Sequence, residues 1–456
     1  MSKKAKNLTT GDITTILKEL TIPMIFGILG IIAFNLADTY FVGKIGTIQM
    51  AALTFTFPVV TVINSINLGM GIGTSAVVSK AVGQQNSELV KRLSTDSLTL
   101  GLVFSAIAVT IGQLTIVPLF TMLGADAEVM PYIVKYMRIW YAGAPFLVIP
   151  MIGNNSIRAL GDTKTPSIVM MVSAGTNILL DPLFIFGFGP IPALGVAGAA
   201  IATVFSRGIT FAFAMYVLAI RERVVSMHGA TVAKILASWR TILFIGVPNA
   251  ITRMIVPIGA GVITSLIAGF GHFSVAGFGI ATRIEFLSLA VVYSLSSVIP
   301  VFIGQNFGAG NFERIREATK ISQKFALFYG AVVYGILLIV ARPVAGLFTK
   351  EPEVIEVVVT YMRIVPVGYA FLGLLQIMTA AFNALHKPVK GALLNLAQMM
   401  GIYVPMAILG SKWIGLPGIF MAFVVSYICM SIPSAWLFNK VVHRVELEVQ
   451  QQQHIK

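Results

Sequence analysis

Long apolar runs recur through the whole chain. Residues 22–41, 100–119 and 326–340 each reach or approach the ~20 residues that an α-helix needs to cross ~30 Å of hydrocarbon. About twelve such runs are present. Hydrocarbon offers no hydrogen bonds, so each run must satisfy its own backbone, and an all-α membrane protein of about twelve spans is expected. Composition agrees: 57% of residues are hydrophobic and 11% charged, against roughly a quarter charged in a soluble domain. No globular core could hide so much apolar surface. The opening segment is polar, with no short apolar run and cleavage site before the first span, so the first helix is expected to be retained.

The net charge of +14 could point to nucleic acid, but the placement of the bases argues otherwise. Lys80, Lys91, Arg92, Lys164, Arg221, Arg223, Arg314, Arg316, Lys387 and Lys440 fall on alternate connections. The opposite connections carry few bases, chiefly Lys44, Lys135, Arg342 and Lys350, beside acids such as Asp126, Glu128, Glu351 and Glu353. The positive-inside rule then places both termini in the cytoplasm and requires an even number of spans. The bilayer is the expected partner, with no nucleic acid, since no basic face with base-reading or stacking residues is present. Cys429 is the single cysteine, and the histidines have no partner at ligand spacing, so no thiolate metal cage, disulfide or cofactor is expected.

Sliding the chain against itself gives matches at a constant offset of 225. Pro23 meets Pro248, Gly46 meets Gly271, Gly83 meets Gly308 and Asn86 meets Asn311. The tetrad Tyr136-Met137-Arg138-Ile139 meets Tyr361-Met362-Arg363-Ile364. Two lobes, residues 1–225 and 226–456, each of about six helices, are therefore expected. An even number of spans per lobe gives both the same orientation, so a pseudo-twofold axis along the membrane normal should relate them. Parallel repeats of this kind are a recurrent carrier architecture, with the substrate site near the bilayer midplane.

Few acids lie within the apolar runs. Asp38 follows Asn35 by three residues, and Asp181 follows Asn177 by four, so each amide shares a helix face with its acid. A carboxylate at a helix centre costs ~2.5–3.5 kcal/mol on insertion scales, so these acids are expected to face a cavity or a partner. Two carboxylates in a poorly solvated pocket cannot both ionise cheaply, and such a pair titrates as a unit. It can carry a proton. The same oxygens, with Asn177 and the Thr203 hydroxyl, also suit a hard cation such as Na⁺. The alternative is that these groups are hydrogen-bonding glue between helices. Under the repeat offset Asp38 falls on Ile263 and Asp181 on Met406, so coupling is expected to belong to the N-terminal lobe alone. The second lobe offers Arg283, Glu285 and Gln376.

Other features carry less. Gly69-Met70-Gly71-Ile72-Gly73 lies inside an apolar run with no preceding strand, so close helix packing explains it better than a dinucleotide loop. Pro23 interrupts the backbone ladder of the helix that bears Asp38 and is a candidate hinge. Arg283 and Gln376, with the methionines Met70 and Met171, are candidates for substrate contact or gating, methionine being suited to adaptable cavities.

Together these residues resemble the multidrug and toxic compound extrusion (MATE) transporters over nearly the whole chain. The resemblance rests on Pro23 and the Asp38 region, Gly83-Gln84, residues 157–166 (IRALGDTKTP), Asn177-Ile178-Leu179-Leu180-Asp181-Pro182 and Gly198-Ala199-Ala200-Ile201-Ala202-Thr203. It implies two six-helix bundles enclosing a V-shaped cleft, and export of cationic and aromatic drugs against inward H⁺ or Na⁺. It further implies that Asp38, Asn177, Asp181 and Thr203 form a cation site in the first lobe, with the first helix bending at Pro23. Arg283 resembles an eighth-helix arginine of the DinF-like branch, whereas the second-lobe carboxylates of the NorM-like branch fall at about Val256 and Gly373. The expectation is a proton-coupled antiporter, Na⁺ being the other candidate ion. It is expected to act as a monomer in the prokaryotic inner membrane, exporting small-molecule drugs and toxic organic cations. The alternative is a lipid-linked precursor flippase of similar two-lobe fold. That task calls for a strongly basic cavity, and Arg253 and Arg283 are the bases expected at membrane depth. An enzyme is not expected, because no nucleophile and base meet within the apolar runs.

Overall fold

The computed structural model of the chain describes residues 7–190, 192–226 and 231–454, and helices make up nearly all of them. The first repeat folds into α1 (Ile13–Gly43), α2 (Thr47–Gly83), α3 (Ser87–Met122), α4 (Met130–Ala142), α5 (Ala144–Ala159), α6 (Lys164–Phe186) and α7 (Val196–Tyr216). The second opens with α8 (Val232–Ala268), and the match to α2 is divided between α9 (His272–Ser288) and α10 (Ala290–Gly308). Next come α11 (Phe312–Phe348), α12 (Pro352–Ile364) and α13 (Tyr369–Ala384). Then α14 (Pro388–Leu396) and α15 (Val404–Trp413) flank a π-helical stretch at Ala397–Tyr403, and α16 (Leu416–His454) ends the chain.

Among the described residues eleven helices are long and apolar enough to cross a membrane. The expected count of about twelve is reached when the consecutive short helices α4 and α5 are taken as one crossing. They are divided by Gly143, where a side chain would sit 2.3 Å from Val204 Cγ2 of α7. The glycine lets α7 approach closely. Its repeat counterpart, Gly368, ends a 3₁₀ turn at Val365–Gly368 between α12 and α13. At the break between α9 and α10 the Tyr329 hydroxyl donates to the Ser288 carbonyl at 2.8 Å and satisfies a group that the break frees.

The chain packs into two compact units, and their limits differ from the expected boundary between residues 225 and 226. One unit holds Ile22–Ala250; the other holds Leu8–Thr21 and Ile251–Lys456. Both α1 and α8 therefore change unit partway, at points next to the repeat-related Pro23 and Pro248. The early residues are anchored by hydrogen bonds. Leu8, fully buried, donates its N–H to Gln305 Oε1 at 3.1 Å, Asn306 Nδ2 donates to its carbonyl at 3.2 Å, and Arg314 donates to the Gly11 carbonyl at 2.9 Å. Asp12 then starts α1 by accepting from the Thr15 N–H at 2.7 Å, and the Thr15 hydroxyl and N–H hold its carboxyl below the usual range.

The glycines at 69, 71 and 73 are packing residues, as expected. A Cβ at Gly69 would meet the Gly246 carbonyl at 2.4 Å, and one at Gly73 the Ile242 carbonyl at 2.3 Å, so this face of α2 lies against α8. A Cβ at Gly71, on the opposite face, would lie 2.4 Å from Asn155 Nδ2 of α5. Small residues that allow such approach are what drives helix association in lipid, where no hydrophobic effect favours one apolar partner over another.

Candidate functional site

A cavity of about 940 Å³ opens within the unit formed by residues 22–250. Its size lies near the top of the range for small-molecule sites, about 300–1,000 Å³. One wall is the face of α1 carrying Asn35, Asp38, Thr39 and Val42, residues spaced at i, i+3, i+4 and i+7. α2 adds Phe57, Thr61 and Asn64, α4 adds Tyr136 and Trp140, and α7 contributes a stripe of Ala199, Thr203 and Arg207 at successive i+4 steps. The lining is thus aromatic and hydroxyl-bearing, with Asp38 as its one acid and Arg207 as its one base.

Behind this wall lies the rest of the predicted cluster. Asn177 and Asp181, on α6, are 1% and 0% exposed. Asn177 Nδ2 donates to Thr203 Oγ1 at 3.5 Å, linking α6 to the cavity-lining stripe. Asp181 lies near enough to Asp38 for the two charges to act on one another, and the Asn177 amide is within electrostatic reach of it. Yet both Asp181 oxygens and Asn177 Oδ1 have no hydrogen-bond partner of normal geometry among the described residues. A buried carboxyl left in that state costs several kcal/mol unless something neutralises it. Residues of α1, α6 and α7 are thus linked, Asn177 to Thr203 by a hydrogen bond and Asp181 to Asp38 by charge.

The remaining predicted residues are placed elsewhere. Met70 does not line the cavity: it is 2% exposed and sits in a core with Val77, Val148 and Ile152, because its neighbours Gly69 and Gly71 draw α8 and α5 in around it. Met171 is exposed on α6, beside Gly30 of α1. Arg283 is exposed on α9 and Gln376 half-buried on α13; neither lines the cavity. Pro23 lies within the unbroken helix α1, at the change of unit.

Two site residues were not picked out from the sequence. Tyr136 is one: the charges of both Asp38 and Asp181 act on its hydroxyl. Its signal was the repeated tetrad, since its counterpart Tyr361 also faces an acid, donating to Glu285 Oε2 at 2.7 Å. Arg207 is the other. It lies near the middle of the apolar span Val196–Arg221, and a base at that depth was the available clue.

A two-fold repeated, all-helical membrane protein with a small-molecule-sized cavity and acids within its apolar helices is a carrier by its construction. The chain belongs to the MatE family, whose model matches residues 23–183 and again 248–409, once per repeat. It is 36% identical to the FAD transporter of Shewanella oneidensis over 444 residues, covering 97% of this chain and 98% of that one. It is 25% identical over 389 residues to the probable multidrug resistance protein YoeA of Bacillus subtilis, covering 82% of this chain and 84% of the relative. The fold matches the crystal structure of the Vibrio cholerae MATE transporter VcmN in the bent form, with TM-score 0.89 and 30% identity over 95% of this chain and 98% of that one. The protein is a multi-pass membrane transporter.

Proposed function

We propose that the protein exports aromatic small molecules across a prokaryotic inner membrane in exchange for an inward cation, a proton in the first instance and Na⁺ as the alternative. Both termini would lie in the cytoplasm, in keeping with the distribution of basic connections. The observation that carries the proposal is Asp181, fully buried with both oxygens unpaired, coupled to a cavity-facing Asp38. The cavity gives Asp38 access to substrate. With both carboxylates ionised, mutual repulsion and two uncompensated charges disfavour the arrangement; one proton, or one Na⁺ shared with Asn177 and Thr203, relieves it. Loading that cation alters the charge and hydrogen bonding on the wall formed by Asp38 and Thr203, which releases substrate. Pro23, at the point where α1 changes unit, is the position at which the helix would bend.

Aromatic walls and the Asp38 charge suit organic cations and aromatic drugs. A second reading, export of a flavin dinucleotide, is favoured by the Shewanella relative and by Arg207 on the cavity wall. The flippase reading gains little, because Arg207 is the single base on that wall.

The test is exchange in proteoliposomes under a pH gradient alone and then a Na⁺ gradient alone. The wild type should drive ethidium or flavin movement under the pH gradient, and Asp38→Asn should reduce it to the leak of empty vesicles. Unchanged exchange by Asp38→Asn would sink the coupling proposal, and drive by Na⁺ alone would replace the proton.

A further inference from the structure

Arg207 has a place in the cavity that the coupling reading does not use. It stands near the middle of an apolar span, where an arginine costs ~2.5–3.5 kcal/mol on insertion scales. Among the described residues it makes no hydrogen bond and no ion pair, and it lines the cavity. Its repeat counterpart is Ile432, an exposed apolar residue, so the helix does not require a base at this position. An uncompensated guanidinium at that depth calls for an anion.

The surroundings narrow the kind of anion. Arg207 follows Thr203 by one turn on α7, which places it ~6 Å along the helix axis from the coupling cluster. The cavity wall therefore carries one acid, Asp38, and one base, Arg207. It also carries Trp140, Tyr136 and Phe57, whose flat faces suit a fused aromatic ring system. Thr61 and Asn64 add neutral hydrogen-bonding groups. Arginine's planar fork matches a phosphate by two parallel N–H···O bonds.

We propose that Arg207 is the anion-binding residue of this cavity, and that the transported molecule joins an aromatic ring system to a phosphate. This rests on the export reading above and names its substrate class. It makes the cavity selective by charge: phosphate-bearing aromatics are held and their unphosphorylated analogues are held more weakly.

The experiment compares binding of riboflavin, FMN and FAD, three probes sharing one ring system, by flavin fluorescence. The purified full-length protein is placed in nanodiscs of neutral lipid and in nanodiscs containing phosphatidylglycerol. In the wild type FMN and FAD should bind about 10- to 100-fold more tightly than riboflavin, the range expected of a charge-assisted hydrogen-bond pair. In Arg207→Gln the FMN-to-riboflavin ratio should collapse to near one, and Arg207→Lys should restore it in part, showing that charge rather than fold is responsible. A wild-type ratio near one, or an undiminished ratio in Arg207→Gln, overturns the proposal. Loss of the phosphate preference whenever phosphatidylglycerol is present would assign the site to a lipid headgroup and likewise overturn it. Asp38→Asn run in parallel separates the two claims. If it abolishes exchange while Arg207→Gln keeps its phosphate preference, the export reading stands and this one falls.

Discussion

The two repeats place different chemistry at the same positions. In the first, Tyr136 faces the acids of α1 and α6 across a cavity; in the second, the matching Tyr361 donates to Glu285 of α9 inside a packed core. Glu285 falls on Val60, a cavity-lining residue, and Phe278 on Leu53, another. Where the first repeat leaves space, the second fills it with rings: Tyr361 meets Phe278 and Phe420 at centroid distances of 5.9 and 4.9 Å, and Tyr403 meets Phe423 at 5.6 Å. The helix matching α6 also differs, since α14 and α15 are joined through a π-helical stretch at Ala397–Tyr403 while α6 runs regularly through Asn177 to Asp181. The duplicated frame thus carries a cavity in the first repeat and packed rings at matching positions of the second. An acid at membrane depth has different consequences in each: Asp181 has unpaired oxygens, and Glu285 has a tyrosine.

The largest effect should therefore separate Asp38 from Glu285. Asp38→Asn should lose exchange entirely, whereas Glu285→Gln, which keeps an oxygen to accept from Tyr361, should retain exchange within about threefold, under 1 kcal/mol. Complete loss in Glu285→Gln would break the comparison and give the second repeat a coupling role. Asp181→Asn comes next. It removes the unpaired carboxylate but leaves Asp38 on the wall, and exchange should fall by about tenfold or more, the scale of a lost charge interaction. Initial rates under an imposed pH gradient distinguish all three.

The frame was legible because hydropathy and an offset of 225 survive in single residues: Pro23 and Pro248, Gly143 and Gly368, Tyr136 and Tyr361. The acid cluster was legible for the same reason that it is costly, since ionisable groups within apolar runs are few. Arg207 is equally costly, but the apolar runs also hold Arg253 and Arg283, and only the cavity distinguishes Arg207 from them. Met70 illustrates the converse. Whether a methionine lines a cavity or fills a core depends on which helices its flanking glycines admit, and that is a property of the packing. The exchange of unit within α1 and α8 is marked locally only by Pro23 and Pro248, and the unit that the start of α1 joins is set by tertiary hydrogen bonds such as Arg314 to Gly11.

The tyrosines sharpen the comparison at the level of stability. Tyr361→Phe strips the donor from a buried carboxylate and should cost about 1–3 kcal/mol, seen as a lower unfolding midpoint of the purified protein. Tyr136→Phe removes a hydroxyl on the wall of an open cavity, so its midpoint should move by less than about 1 kcal/mol while exchange slows. Equal shifts in the two midpoints would mean that the first repeat's tyrosine is as structural as the second's.

The smallest effect concerns an ion pair whose charges are exchanged between repeats. In the first, Arg221 pairs with Asp162, which also accepts from the Thr165 N–H at 2.9 Å, while Arg221 donates to Thr165 Oγ1 at 2.8 Å and to Glu222 at 2.7 Å. The positions matching Asp162 and Arg221 are Lys387 and Glu446, with the signs inverted. The pairing has shifted too: Lys387 reaches Glu448 at 3.8 Å, and Glu446 is taken by Arg316. The side chains of Arg221 and Asp162 are 27% and 25% exposed, those of Lys387 and Glu448 39% and 50%. The first pair is a hydrogen-bonded network at the start of α6, the second a screened contact, so Asp162→Ala should destabilise by about 2 kcal/mol and Lys387→Ala by less than about 0.5 kcal/mol. High salt separates them further: 1 M NaCl, with a screening length of about 3 Å, should erase the Lys387→Ala difference and leave most of the Asp162→Ala difference in place. If both differences vanish in salt, the network around Asp162 is no more than a surface pair, and the first repeat holds the connection before α6 no more firmly than the second holds its counterpart.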